Sequence, residues 1–406
     1  MPEDAEDLRA PVDDRVPGRW VLRSAPMRVA IVADWLPTYA GAEHVLADIL
    51  RIWPDAPLFT TVARHGALGP LDAADIRTSR LQTLYGMTRD HRVLLAMMPR
   101  ALEDLDLSGF DVVVSSSHAV GKGIIPPPSG LHCCYCHTPM RYAWEMEEDY
   151  LRDFRIPRLF RGFIRRTLSR LRRWDLSTAK RVDCFIANSP TTQERIARIY
   201  ARDSTVIPPP VDDRFFSAPI RAPQERTYLL AVGRLVPYKR FDLLIEVANA
   251  MQLPLKIAGK GTDRERLKKL AGPTVEFLGF VPDAELPSLY AGAKVLLFPQ
   301  IEDAGVVLLE AQACGTPVVA FGEGGARDVI EDGITGLLFP YQTAESLSDA
   351  VRRADAITWD HGMIQARTKA FSQEQFRTKL RTTVTQAYET FRSTGHARNF
   401  SAPLTA

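Results

Sequence analysis

Three features of the sequence predict an α/β fold built on two doubly wound parallel sheets. Short apolar runs alternate with helical patterns, as where Met27-Arg28-Val29-Ala30-Ile31-Val32-Ala33 is followed by AEHVLADILRIW. The alternation starts afresh after Ser204 to Arg226, a stretch holding Pro208-Pro209-Pro210, Pro219 and Pro223 that reads as a linker. At 406 residues the chain is too long for one core and suits two. The predicted division is an arm over 1–25, sheet domains over 26–215 and 216–375, and a helix and tail over 376–406 that pack back on the first domain.

Taken in order, residues 1–25 are rich in charge and proline and lack a hydrophobic run, so a mobile arm is expected and a signal peptide is not. After the strand at Met27–Ala33, further strands are expected at Leu58–Val62, Val112–Ser115, His132–Cys136 and Cys184–Ala187. The second half should place strands at Tyr228–Val232, Leu255–Ala258, Val275–Leu278, Val295–Phe298 and Val318–Phe321. Ala344–Ala354 and Gln373–Phe391 read as closing helices. Such sheets bind ligands beyond the carboxyl ends of their strands, and two such edges would face each other here.

Composition excludes several classes. The chain is 46% hydrophobic and 25% charged, as an ordinary soluble protein is. A net charge of +2 argues against a general nucleic-acid binder. No apolar run approaches the roughly 18 residues that a membrane span needs. Five cysteines, an odd number set mostly in apolar strands, point to reduced thiols and a cytoplasmic protein. Cys133-x-x-Cys136 beside His132 and His137 is half a zinc site without a second ligand pair, and strand alternation turns some of these side chains apart. Asp104-Leu105-Asp106 is a DxD, but it precedes the FDVVV strand away from every other candidate. No metal is expected.

The most informative stretch is Ile301 to Phe321, IEDAGVVLLEAQACGTPVVAF. A helix should start near Asp303 to Gly305 and stop at Gly315. Its free N–H groups and positive dipole end form an anion site, with Ala304, Gly305 and Val306 at its mouth. Glu302 lies just before that end and Glu310 about two turns in, so an anion fits between two carboxylates that themselves suit hydroxyls. Glu310 is also a lone carboxylate in the apolar run VVLLEAQAC, where burial is costly. Gly233-Arg234-Leu235-Val236-Pro237-Tyr238-Lys239 leaves the first strand of the second half and puts two cations at its carboxyl end. Alone, they are surface charges. Gly259-Lys260-Gly261 and Gly324-Gly325 make turns or let a ligand approach the backbone. Asp328 suits a sugar hydroxyl or a helix cap. The first-half loop Asp34 to Glu43 carries Gly41 at a helix start and is not GxGxxG, which weakens a dehydrogenase reading.

These motifs, with Phe277-Leu278-Gly279-Phe280-Val281, Phe298-Pro299, Glu302-x7-Glu310 and Ala313-Cys314-Gly315-Thr316-Pro317, occur in the order seen in glycosyltransferase family 4. The resemblance covers about residues 27 to 395. It implies a retaining enzyme of GT-B fold that uses a nucleotide sugar. Tyr135-Cys136-His137-Thr138-Pro139-Met140-Arg141-Tyr142 resembles a subgroup rich in mannosyltransferases of polysaccharide and O-antigen assembly. By that resemblance Arg234 and Lys239 bind the leaving diphosphate, Glu310 the ribose and Glu302 the transferred sugar. His137 matches the histidine near the anomeric centre, and Gly41, Gly233, Gly259 and Gly261 approach the donor. The base is read by backbone near Phe280 and Val281. The catalytic set is thus His137, Glu302, Arg234 and Lys239. His118 and Lys122, in SSSHAVGKG, should face the same cleft. Two positions depart from the family pattern: Ala304 where a larger residue is common, and Asp328 where many members have Glu.

The expected reaction moves a hexose, with GDP-mannose the favoured donor, to a glycan or lipid-linked glycan. Cations and a helix end stabilise the departing diphosphate, so neither metal nor other cofactor is expected. A nucleotide-sugar epimerase on the same fold is the first alternative, against which the cluster His137–Tyr142 argues. A non-catalytic nucleotide-sugar binder is the second. From Arg152 to Arg181 the chain has eleven Lys or Arg against Asp153 and Asp175, interleaved with apolar residues including Leu168 and Leu171. Such a segment, 152–181, either lies on anionic lipid or packs with a solvated basic face. A cytoplasmic protein, peripheral on the inner face of the membrane, is the resulting expectation.

Overall fold

The computed structural model describes residues 27–144 and 158–395, so the arm over 1–25 and residues 152–157 of the basic stretch lie outside the described residues. In the first half, β1 (Val29–Ala33), β2 (Leu58–Thr60), β3 (Ile76–Thr78), β4 (Val112–Ser117), β5 (Leu131–Cys136), β6 (Cys184–Ala187) and β7 (Thr205–Val206) form one sheet in the order β3-β2-β1-β4-β5-β6-β7. In the second, β8 (Tyr228–Val232), β9 (Leu255–Ala258), β10 (Val275–Gly279), β11 (Ala293–Phe298), β12 (Val318–Phe321) and β13 (Gly336–Phe339) run in the order β10-β9-β8-β11-β12-β13. Every pairing in both sheets is parallel.

The period of two explains why the central strands read as unbroken apolar runs. In β1, Val29 and Ile31 enter one core while Ala30 and Val32 enter the core on the opposite face. Strands β3, β7 and β13 were not expected. The first two are short and only half buried, IRT and TV, and so lack the apolar run that marks a central strand. The third is the four-residue GLLF on the far edge of its sheet.

Ser204–Arg226 is not a loose linker. It supplies β7, a helical turn at Asp213–Phe216 and a buried Phe215 that meets the Tyr290 ring at 5.8 Å. The chain crosses between the halves twice, side by side: Val211 N donates to Phe371 O at 2.8 Å where the last helix is about to begin. That helix, Gln373–Thr394, sends Phe376, Leu380, Val384 and Ala387 into the core of the first sheet.

The basic helix Arg158–Thr178 buries Leu168 and Leu171 against the first half and leaves Arg165, Arg166, Arg170 and Arg173 exposed. Lys122 fastens it and does not face the cleft, contrary to expectation. The Lys122 Nζ lies 2.7 Å from Asp175 Oδ1 and donates to Asp175 O and Thr178 Oγ1, with the pair 2% and 0% exposed. Tyr200 and Trp144 donate to the other Asp175 oxygen, each at 2.8 Å. Among the described residues no helix is long and apolar enough to cross a membrane. Lys122→Ala leaves Asp175 buried without its cation and should destabilise the protein by about 3–5 kcal/mol. A fall in the urea midpoint at unchanged slope measures it.

Candidate functional site

The carboxyl end of the second sheet carries most of the residues singled out in the sequence. The Val306–Ala313 helix starts at Gly305, whose φ of 58° is left-handed. Among the described residues the N–H groups of Gly305, Val306 and Val307 have no protein acceptor, which leaves three donors pointing out of the helix start. Lys239 Nζ lies 2.5 Å from Glu302 Oε1 beside that start. Arg234 is exposed and its side chain has no partner among the described residues.

Glu310 has a partner that the sequence did not reveal. The buried Tyr290 hydroxyl donates to Glu310 Oε2 at 2.8 Å. Tyr290 is fixed in turn by Thr316, whose hydroxyl donates to Tyr290 O at 2.7 Å and accepts from Arg226 Nη1 at 2.8 Å. The Gly-Thr-Pro turn thus supports the carboxylate from behind. Burial lifts Glu310 to about 7, against the opposing hydrogen bond from Tyr290. A cavity joins Val306 and Glu310 to Gly41, His44 and Asp48 of the first half, with Arg214 and Asp283 on its rim. The two carboxyl edges therefore do face each other.

Both glycine pairs are explained by contact between loops. A Cβ on Gly259 would sit 1.8 Å from Gly233 O, and one on Gly261 would sit 2.1 Å from Leu235 O. Gly325 N donates to Glu302 O at 2.7 Å, and a Cβ there would lie 2.6 Å from Asp303 O. The close approach that these glycines permit is backbone on backbone, and it sets the loops that carry Lys239 and Glu302. Phe280 stands 64% exposed, with Lys260 Nζ 5.4 Å from its ring centre, and Val281 is half buried.

The first sheet contributes His137, at the end of β5, with Nε2 2.9 Å from Ser116 Oγ. Its ring lies 6.3 Å from that of His118, which follows β4. Asp34, at the end of β1, holds this corner and carries no mark in the sequence beyond its place after an apolar run. Its carboxylate accepts from Ser117 Oγ at 2.9 Å, from His118 N at 2.7 Å and from Gly121 N, and meets His118 Nδ1 at 2.9 Å. Burial would raise Asp34, but His118 and these N–H groups bring it down to about 2. Burial would lower His118, yet the charge and hydrogen bond of Asp34 prevail and raise it. Burial first, and then charged His118, push His137 down to about 3. Two neighbouring imidazoles are thus held in opposite states, one favoured as a cation and one neutral.

The remaining candidates are structural. Asp328 neither caps its own helix nor stands open: its Oδ2 accepts from Thr191 Oγ1 at 2.9 Å. His132 is a buried histidine satisfied by Ser115 Oγ and Arg181 O. The five cysteines are buried thiols, and no cluster able to hold a metal occurs among the described residues. Asp104 and Asp106 are exposed, Asp106 accepting from Ser108.

The model described as Glycosyltransferase Family 4 matches residues 39–215, and that described as Glycosyl transferases group 1 matches residues 212–356. A D-inositol 3-phosphate glycosyltransferase of Geodermatophilus obscurus is 33% identical over 201 residues, 42% of this chain and 45% of that protein. A GDP-mannose-dependent alpha-(1-6)-phosphatidylinositol monomannoside mannosyltransferase of Mycobacterium tuberculosis is 32% identical over 192 residues, 40% and 50% of the two chains. The chain thus spans about half the length of the curated relatives it matches. HepE of Anabaena, solved with UDP-glucose, superposes with a TM-score of 0.64 at 19% identity, covering 89% of this chain and 100% of that one. Sucrose-phosphate synthase of Thermosynechococcus elongatus gives 0.66 at 17%, with the same coverage. The fold is GT-B.

An imidazole NMR titration checks the electrostatics. His118 should hold its proton above the ordinary 6.5, while His137 stays neutral throughout the range in which the protein is folded. In Asp34→Asn, burial acts on His118 against only the weaker pull of Glu43, and its titration should fall.

Proposed function

The chain belongs to glycosyltransferase family 4, and from that premise we propose that it moves a hexose from a nucleotide sugar to a glycan or lipid-linked glycan with retention of configuration. One observation carries the reading. The three open N–H groups at Gly305–Val307 lie between the Lys239–Glu302 pair and the Tyr290-held Glu310. A diphosphate at that helix start would meet Lys239 and Arg234. Lys239 would exchange Glu302 for the anion and release Glu302 to the sugar hydroxyls, while Glu310 takes those of the ribose.

Departure of the diphosphate leaves cationic character on the sugar. The helix start and the two cations stabilise the anion, the role that a metal plays elsewhere, so transfer should be metal-independent. Neutral His137 presents a ring nitrogen near the reacting carbon without adding positive charge there. GDP-mannose is the favoured donor, supported by the mannosyltransferase relative. No carboxylate is assigned as a nucleophile.

For contact with an anionic membrane a different surface from the basic helix is favoured. Leu168 and Leu171 are core residues, so that apolar face of the basic helix is already used. Met87, Val93 and Met97 are exposed large apolar side chains among exposed Arg89, Arg92 and Arg100. Peripheral contact on the cytoplasmic side through this patch suits a lipid-linked acceptor. Co-sedimentation with anionic vesicles at low salt should be lost in Met87→Ser/Val93→Ser, and equal binding by that variant would discard the patch.

Thermal shift with GDP, UDP, ADP and dTDP tests the donor, a metal-independent shift with GDP alone being expected and no shift with any nucleotide refuting the reading. Lys239→Ala and Glu310→Ala should abolish transfer with the fold intact. Hydroxyls bind a carboxylate better than its acid, and Glu310 lies at about 7. Affinity for GDP-mannose, whose diphosphate does not titrate there, should therefore rise between about pH 6 and 8 and level off above. Glu310→Gln should flatten that rise.

A further inference from the structure

One short segment of the first half touches the second half at two acidic residues. The Pro190–Tyr200 helix follows β6 and is capped by Ser189, whose Oγ accepts from Thr192 N at 3.0 Å. Thr191 donates to Asp328 Oδ2 through both its N–H, at 3.2 Å, and its hydroxyl, at 2.9 Å. Thr192 Oγ1 donates to His137 O at 3.2 Å. Arg195 Nη1 reaches Thr138 Oγ1 at 3.4 Å and pairs with Asp303 Oδ1. Arg141, four residues beyond His137, brings its Nη1 within 3.6 Å of the other Asp303 oxygen.

These contacts close a circuit. Asp303 adjoins Glu302, and the loop holding both rests on Gly325, three residues before Asp328. The helix therefore grips the sugar-side loop at both of its supports, and it grips the His137–Thr138 backbone at the same time. Arg195 and Asp303 are each 13% exposed in their side chains, so their attraction is screened far less than a surface pair's. The contacts named are all polar. An apolar interface would hold the halves shut at all times, whereas hydrogen bonds and the two ion pairs on Asp303 can be exchanged for water.

We propose that Thr191 and Arg195 are positioning residues that clamp the Glu302–Gly305 loop of the second half against His137 of the first. The sugar and the acceptor hydroxyl are aligned only while this clamp is closed. The inference rests on the donor-site reading above, but its first test does not. X-ray scattering on the ligand-free protein should show a larger radius of gyration for Arg195→Ala and for Asp303→Asn than for the parent. Asp303→Asn keeps the size of the side chain and removes only its charge, which guards against a misfolded Arg195→Ala.

In turnover, kcat should fall by about tenfold or more in both variants while the GDP-mannose dissociation constant stays within about threefold, as lost positioning predicts. The double variant should be slower than Asp303→Asn by far less than Arg195→Ala is slower than the parent, because the two share the Arg195–Asp303 pair. A merely structural role would lower stability and donor affinity together. Unchanged scattering in both single variants, or a kcat within twofold of the parent, overturns the clamp and leaves the donor reading in place. Failure of the parent to bind any nucleotide sugar refutes that reading and leaves the scattering result to decide the clamp.

Discussion

A parallel strand buried on both faces has no room for charge along its length, and this constraint places nearly everything polar in both halves. Strands β1, β4, β5 and β12 are buried at every residue. The titratable groups therefore collect where strands stop: Asp34 after β1, His118 after β4, His137 after β5, Lys239 beyond β8 and Glu302 beyond β11. Parallel strands all stop on one edge, so each sheet gathers its chemistry on one side. The paired crossings at Val211 and Phe371 then hold two such edges opposite each other.

Charges pushed into a protein this way need partners, and the manner of partnering separates scaffold from site. Lys122 and Asp175 are closed off from water and held by Tyr200, Trp144 and Thr178. Their work is to hold a helix. The pairs at the cleft are one-sided instead. Asp34 is 1% exposed but its partner His118 is 32% exposed, and buried Lys239 faces a Glu302 that is 23% exposed. In each case the inner member is fixed by the fold while the outer one can still meet a ligand. Glu310 follows the same rule with a neutral partner, since Tyr290 holds one oxygen and the cavity receives the rest.

The glycine motifs illustrate how a family signature can have a structural cause. Gly259 and Gly261 let two loops of the second sheet touch backbone to backbone, and Gly325 lets the Glu302 loop settle on the turn after β12. A side chain at any of them would move the loop that carries a charged group. Spacing in the sequence reveals that the backbone must come close there, but not what it comes close to.

Most of the sheet architecture was legible because apolar runs and the glycine and proline between them are local properties. All ten strands expected from the apolar runs lie within two residues of where the runs place them, and the helix before the Gly-Thr-Pro turn begins at Gly305 as its glycine implies. The residues at the strand ends were legible for the same reason. What the sequence could not supply is pairing between residues far apart in the chain. Lys122 looked like a cleft residue because it follows the same strand as His118, yet it turns to a carboxylate 53 positions away. Tyr290 behind Glu310, Asp34 beside His118 and Arg195 on Asp303 are likewise matters of tertiary packing. By itself the sequence determined the apolar central elements, their order and most of the groups at their ends, since each depends on neighbours in the chain. Only the tertiary structure decided which charges were neutralised and which were left open to the cleft, because a charge's energy depends on what lies within a few ångströms of it in space.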